Sequence, residues 1–295
     1  MLRITTTNEA AVAKKAGRRH VTPGKVVLEI ITALIVIIAI VPLVWIIFLS
    51  LKSNSEIFLN PLSFPEEIMW SNYVGAFQKI PFLKMLGNTG LEMVIAIPIS
   101  LVISVFSSFA IARIVVGKGR MNNFLYTYYI SGVIIPGFVL MLPIYLMMNK
   151  IGLYDTILSM ALTHIAWSAP MNSMLMVTMM RSVPSSLEEA AVIDGCGIWK
   201  VLYKIYVPMI KPTLVTAFIL MFLGMWNDFA LARVLLISNE NQTISLAVNL
   251  FKGLYSTDYA LLTAGIVILT IPELVVFACL QKHIIDGIME GAVKG

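Results

Sequence analysis

Six stretches of the chain are too long and too apolar for water. A helix needs about 20 mostly apolar residues to cross the hydrocarbon core of a bilayer. Runs of that kind fall at about residues 30–51, 92–114, 124–148, 157–180, 213–236 and 262–280, and polar segments separate them. Composition agrees: 59% of the 295 residues are hydrophobic, 13% are charged, and the mean hydropathy is +0.89. A soluble domain has about 45–50% apolar residues and about 25% charged ones. A soluble enzyme could not hide this much apolar surface, and a disordered chain would not carry it. The expected fold is an all-α membrane protein with six transmembrane helices.

Charge sets the orientation, because connections on the cytoplasmic side carry an excess of Lys and Arg. One side holds Arg3, Lys14, Lys15, Arg18, Arg19, Lys25, Arg113, Lys118, Arg120, Arg181, Lys200, Lys204, Lys211, Lys282 and Lys294. The other side holds only Lys52, Lys79, Lys84, Lys150, Arg233 and Lys252. The pattern predicts a multi-pass protein of a prokaryotic inner or plasma membrane with both termini in the cytoplasm. The first apolar run is longer than the roughly 7–15 residues of a signal-peptide core and no A-x-A site follows it, so it is read as a retained anchor. Residues 1–25 form a basic arm suited to anionic lipid headgroups. Residues 26–281 form the six-helix domain, and residues 282–295 a cytoplasmic tail.

Few residues offer chemistry. There is no G-x-x-x-x-G-K-[ST] phosphate loop; Gly117-Lys118-Gly119-Arg120 lacks both the length and the hydroxyl. Neither H-E-x-x-H nor G-x-S-x-G occurs. His20, His164 and His283 lie far apart, and Cys196 and Cys279 form no C-x-x-C and read as small buried side chains. No catalytic residue, metal or cofactor is expected in this chain.

Polar side chains inside spans are costly and turn toward a cavity or another helix. Tyr129, His164, Asn172 and Asn227 are such residues, with Trp167 and Trp226 as stacking surfaces. Amides and rings in this pattern can line a path for a polar solute, and the same residues suit helix-to-helix hydrogen bonding. Asp228 stands out most among the charges; it is expected near the outer end of the fifth span, and a salt bridge to Arg233 is its plainer explanation. Glu29, Glu92 and Glu273 are expected near span ends within reach of water, which leaves little charge at mid-span. Met171, Met174, Met176, Met179 and Met180 read as lipid-facing or interhelical packing. Pro98, Pro136, Pro143, Pro170 and Pro272 should kink their spans.

The connection over residues 181–212 is far longer than the 2–8 residues that helix connections need. Ser185 with Glu188, and Ser186 with Glu189, have capping-box spacing. Gly195 is a stop signal. Ile198, Val201, Leu202 and Ile205 make an apolar stripe, Pro208 ends it, and Pro212 suits the first turn of the next span. Two short helices joined at residues 195–197 are predicted. Ala191 and Gly195, four apart, should share a face that a partner can approach closely; a hairpin resting on the membrane surface fits the same pattern.

The run Glu188-Glu189-Ala190-Ala191-Val192-Ile193-Asp194-Gly195, with Ile205, Val207-Pro208 and Pro212 beyond it, resembles the EAA loop of ABC importer permeases, with Val207 in place of that motif's leucine. The E-E-A-A-x-x-D-G form, Trp226-Asn227-Asp228-Phe229 and the tail from Gln281-Lys282 to Gly295 look like the carbohydrate-uptake class of binding-protein-dependent importers, which includes the six-span permease subunit of the maltose importer. Ser50-Leu51-Lys52 and Asn72-Tyr73 are weaker matches. The resemblance spans about residues 51–295. It implies a permease that moves a sugar or oligosaccharide handed over by an extracytoplasmic solute-binding protein. The implied partners are a second homologous permease and two cytoplasmic ATP-binding subunits that bind ATP and Mg and hydrolyse the ATP. Glu188, Glu189, Ala190, Ala191, Asp194 and Gly195 would couple this chain to an ATPase subunit, and the tail would extend along the ATPase pair. A permease for another solute, such as a polyamine or phosphonate, and an ion-coupled secondary transporter are the rival readings.

Overall fold

The computed structural model describes residues 23–114, 120–253 and 256–292. Most of the expected basic arm and residues 293–295 of the tail lie outside the described residues. The helices are α1 (Pro23–Ser50), α2 (Asn54–Leu59), α3 (Ser71–Lys79), α4 (Phe82–Arg113), α5 (Arg120–Ile134), α6 (Gly137–Lys150), α7 (Ile157–Ser182), α8 (Ser185–Ile193), α9 (Ile198–Met209), α10 (Lys211–Asn227), α11 (Phe229–Leu235) and α12 (Tyr259–Ala292). A 3-10 segment, Ile244–Phe251, precedes α12. Among the described residues the only β pairing is an isolated bridge between Lys252 and Thr257.

Three helices, α1, α4 and α12, are long and apolar enough to cross a membrane individually. The pairs α5–α6 and α9–α10 qualify only when taken together, bent by 95° and 70°. Helix α7 has 26 residues, about 39 Å at 1.5 Å per residue, but is more polar. Its polar groups turn against α4. There Ala96, Ser100, Ser104 and Ser108 recur every fourth residue, all fully buried. Side chains this small let two helix backbones approach closely, and hydroxyls then bond across. Ser100 meets Ser168 at 2.6 Å, Ser107 meets Ser173 at 3.2 Å, and Asn172 Nδ2 donates to Ser100 Oγ at 3.3 Å.

The expected span boundaries shift in four places. Helix α4 starts at Phe82, so Glu92 sits well inside a helix rather than at its end. The polar turn before Glu92 is satisfied by packing: Asn88 Nδ2 donates to the Glu240 and Gln242 carbonyls, and Thr89 Oγ1 accepts from Ile244 N at 2.9 Å. Helix α12 runs unbroken from Tyr259 to Ala292, which places Glu273 mid-helix and carries helix across the 281/282 boundary. The third run breaks at Ile135–Pro136, where Pro136 precedes α6 in an extended conformation; the residue before a proline resists the helical region. The fifth run ends at Asn227. Asp228 then caps α11, its carboxylate accepting Leu231 N at 3.0 Å. Pro98, Pro143, Pro170 and Pro272 lie inside unbroken helices.

At one end the sequence motifs after α1 and before α4 meet. Tyr73 OH and Ser50 Oγ are 2.6 Å apart, and Asn72 Nδ2 donates to the Ser50 and Lys52 carbonyls. Lys52 is fully buried and its ammonium donates to Asn60 O and Ser63 Oγ, with Glu56 at 3.5 Å. Asp155, in the short turn before α7, accepts Ile237 N and Ser238 N at 2.8 and 3.1 Å and so ties that turn to the segment after α11.

Candidate functional site

Helices α8 and α9 form the hairpin expected over residues 181–212. Helix α8 begins after Pro184 without a side-chain cap, so neither serine forms a capping box. It ends as expected: Gly195 takes φ +72°, Gly195 N donates to Val192 O, and Cys196 N donates to Ala191 O at 2.8 Å. That left-handed turn suits glycine, which has no Cβ to clash. In α9 the turn widens to a π-helix over Leu202–Tyr206. Val201, Leu202 and Tyr206 face inward, while Ile198 is exposed; helix continues past Pro208 to Met209. Pro212 lies in the first turn of α10 as expected.

The six residues expected to couple this hairpin to a partner divide between two faces. Ala191 is buried in a cluster of its own chain that includes Met180, Leu202 and Tyr206, so it does not share an open face with Gly195. Glu188 also turns inward: its carboxylate accepts the Tyr206 hydroxyl and pairs with Arg113. Glu189, Ala190, Asp194 and Gly195 stay exposed, beside Val192, Ile193, Trp199 and Tyr203. A Cβ built on Gly195 meets nothing within 4 Å.

Arg113, at the last residue of α4, joins this hairpin to two long helices. Its Nη2 donates to Met180 O at 2.6 Å and to Val183 O, at the end of α7. Its Nε lies 3.5 Å from Glu188, and its guanidinium stands 5.1 Å from the Tyr206 ring centre. The fixed fork of an arginine can serve carbonyls, a carboxylate and an aromatic face at once. Sequence reading used Arg113 only in the charge count.

The remaining candidates separate into two pockets on different sides of α10. His164, Trp167 and Asn172 line a pocket of about 280 Å³ together with Ser168, Met171 and Asp228. Trp226 and Asn227 line another, of about 260 Å³, with Glu273. Trp226 is nearly buried and stacks on Phe222, so it is core more than open surface. Asn227 donates to Glu273 at 2.8 Å, the interhelical bond expected of an in-span amide. Asn172 likewise bonds Ser100 and Met221. Tyr129 is half-buried on α5 and lines neither pocket. Trp167 packs where a Cβ on Gly137 would stand, 1.7 Å from its ring, so only glycine fits opposite it.

Beside the first pocket the structure overturns the expected scarcity of charge. Glu92 is fully buried, and its carboxylate lies 2.6 Å from His164 Nδ1. His164 Nε2 lies 3.0 Å from Asp228 Oδ2. Asp228 is therefore engaged by His164 and by the α11 cap rather than by Arg233. One signal could have exposed Glu92: it stands in the every-fourth-residue series 88, 92, 96, 100, 104 and 108, the face that packs on α7. Among the described residues no group of His, Cys, Asp and Glu is placed to hold a metal ion. Cys196 is half-buried and Cys279 is exposed, against the expectation of two buried thiols.

Residues 104–289 match the family described as binding-protein-dependent transport system inner membrane component. The chain is 28% identical over 260 residues to the diacetylchitobiose uptake system permease protein NgcG of Streptomyces coelicolor, covering 88% of this chain and 85% of that protein. It is 27% identical over 292 residues to the sulfoquinovosyl glycerol transport system permease protein SmoH of Agrobacterium fabrum, covering 97% and 100%. Its fold is similar to a chain in the crystal structure of a bacterial ABC transporter involved in the import of the acidic polysaccharide alginate, with TM-score 0.73, 21% identity, and coverage of 95% and 99%.

Proposed function

The chain belongs to the family of binding-protein-dependent transport system inner membrane components, and from that premise we propose that it is the permease subunit of an ABC importer for a sugar or oligosaccharide. Its relatives' names, a diacetylchitobiose and a sulfoquinovosyl glycerol permease, support the saccharide. The observation that carries the coupling is the α8–α9 hairpin: an exposed face of Glu189, Ala190, Asp194 and Gly195 on a base clamped to α4 and α7 through Arg113.

In this reading the chain has six spans, with α5–α6 as one bent span and α10–α11 as another broken one. Both termini and the hairpin face the cytoplasm, where the Lys and Arg are concentrated. The chain has no ATPase site. Two cytoplasmic subunits bind ATP and Mg and grip the hairpin, a second homologous permease completes the path, and an extracytoplasmic binding protein delivers the solute. A bacterial alginate ABC transporter of similar fold, TM-score 0.60, is solved in complex with an alginate pentasaccharide-bound periplasmic protein. ATP-driven closure pulls on α8. Arg113 passes the displacement to the ends of α4 and α7, and α7 forms one wall of the His164 pocket. The bias comes from the different affinity of the two states for ATP, not from chemistry in this chain.

Co-expression with a cognate ATPase and a second permease tests the reading. A complex should co-purify, and Gly195→Trp should insert normally but fail to retain the ATPase or fail to couple hydrolysis to uptake. Full coupling in that variant would count against the docking face.

A further inference from the structure

The pocket between α7 and α10 has an unusual charge balance. A neutral imidazole offers one N–H and one lone pair. His164 has a carboxylate oxygen at each ring nitrogen, Glu92 at 2.6 Å and Asp228 at 3.0 Å. Both contacts are hydrogen bonds only when the three groups share one added proton. Two carboxylates and that one proton leave the cluster net negative. A second proton has no good seat. Asp228 Oδ1 already accepts Leu231 N, and Glu92 Oε2 is buried with no hydrogen-bond partner to receive an O–H. The shared proton is enclosed among the three groups. Asp228 is the more open group, with a side chain 19% exposed against 12% for His164 and 0% for Glu92. The other polar lining is neutral: Trp167, Ser168 and Asn172. Among the described residues no Lys or Arg lines the pocket.

We infer that this pocket receives a saccharide without acidic groups and turns away one bearing carboxylate, sulfate or sulfonate. A negative wall in a low-dielectric cleft focuses its field on whatever enters. Sugar hydroxyls can donate to the open edge of Asp228 and exchange bonds with Ser168, and a sugar's C–H face can lie on Trp167. An acidic group would meet the Asp228 carboxylate with no cation to offset it. The inference rests on the importer reading for the solute's presence in the pocket, but the charge itself stands on geometry.

The test needs no knowledge of the solute. In the full chain in proteoliposomes, with Cys196→Ser and Cys279→Ser, Met171→Cys places a single thiol on the pocket wall. Reaction rates are measured with a cationic trimethylammonium-ethyl and an anionic sulfonatoethyl methanethiosulfonate, each normalised to a free thiol in solution. The cationic reagent should react at least about tenfold faster, and Asp228→Asn, which can still cap α11, should bring the ratio close to one. Glu92→Gln is the second variant and should lower the ratio in the same direction. A starting ratio at or below one, a ratio unmoved by both substitutions, or no reaction with either reagent would overturn the inference. If the ratio holds but the assembled complex shows no ATP-driven uptake, the importer reading fails and the saccharide falls with it. If uptake holds and the ratio does not, the inference fails alone.

Discussion

Asp155 shows how one side chain can hold two connections that are far apart in sequence. It adopts φ +58° and accepts two backbone N–H groups from the segment after α11. Burial pushes its carboxyl up, but the N–H groups of Ile237 and Ser238 outweigh that and hold it below its ordinary value. The sign follows: the contribution is full above the unfolded value of about 3.9 and is lost as pH falls through the lowered native one. Asp155→Ala should cost about 1–3 kcal/mol in thermal unfolding followed by tryptophan fluorescence. Asp155→Asn, which tolerates the left-handed region and keeps one acceptor, should cost less. Arg113 is the corresponding residue beneath the hairpin. Arg113→Gln removes charge-assisted bonds worth about 1.5–3 kcal/mol, so amide exchange over residues 185–193 should speed up about tenfold or more with insertion unchanged. An unaltered exchange rate would show that the clamp does not hold α8. Neither role was legible in the sequence, because each depends on which carbonyls and N–H groups the fold brings to an ordinary-looking charge.

Helices were far more legible than their ends and faces. The apolar runs locate every long helix, and Gly195 and Pro212 mark a stop and a start where the structure has them. Hydropathy failed where polar residues were satisfied inside the protein. Asn88 and Thr89 look like a connection but are helix, and Asp228 looks like part of a span but is a cap. Ala191 was misplaced because the turn signal at Gly195 gives a helix end but not the direction its face points. Two glycines separate these effects. Gly195→Ala should cost about 1–2 kcal/mol for its left-handed backbone with no clash, since open space surrounds it. Gly137→Leu has to displace the Trp167 ring, and overpacking of this kind costs about 1–3 kcal/mol. It should part α6 from α7 and shift Trp167 emission, whereas Gly195→Ala should leave emission unchanged.

At the scale of the molecule, a span-by-span reading led to the expectation that mid-membrane charge is scarce. The fold places Glu92, His164 and Asp228 together from α4, α7 and the α10–α11 break. Ionisable groups buried among apolar helices mark a functional path, and they also occur in carriers driven by ion gradients. The chain belongs to a binding-protein-dependent transport family, and the importer proposed above takes its energy instead from nucleotide hydrolysis outside this chain. The direct measurement is accumulation of a labelled saccharide in proteoliposomes, made with this chain alone and with the full set of permeases, ATPase subunits and binding protein. Concentrative uptake is expected only in the full set and only with ATP, and Gly195→Trp should abolish it. Sustained accumulation by this chain alone under a proton or sodium gradient would contradict it.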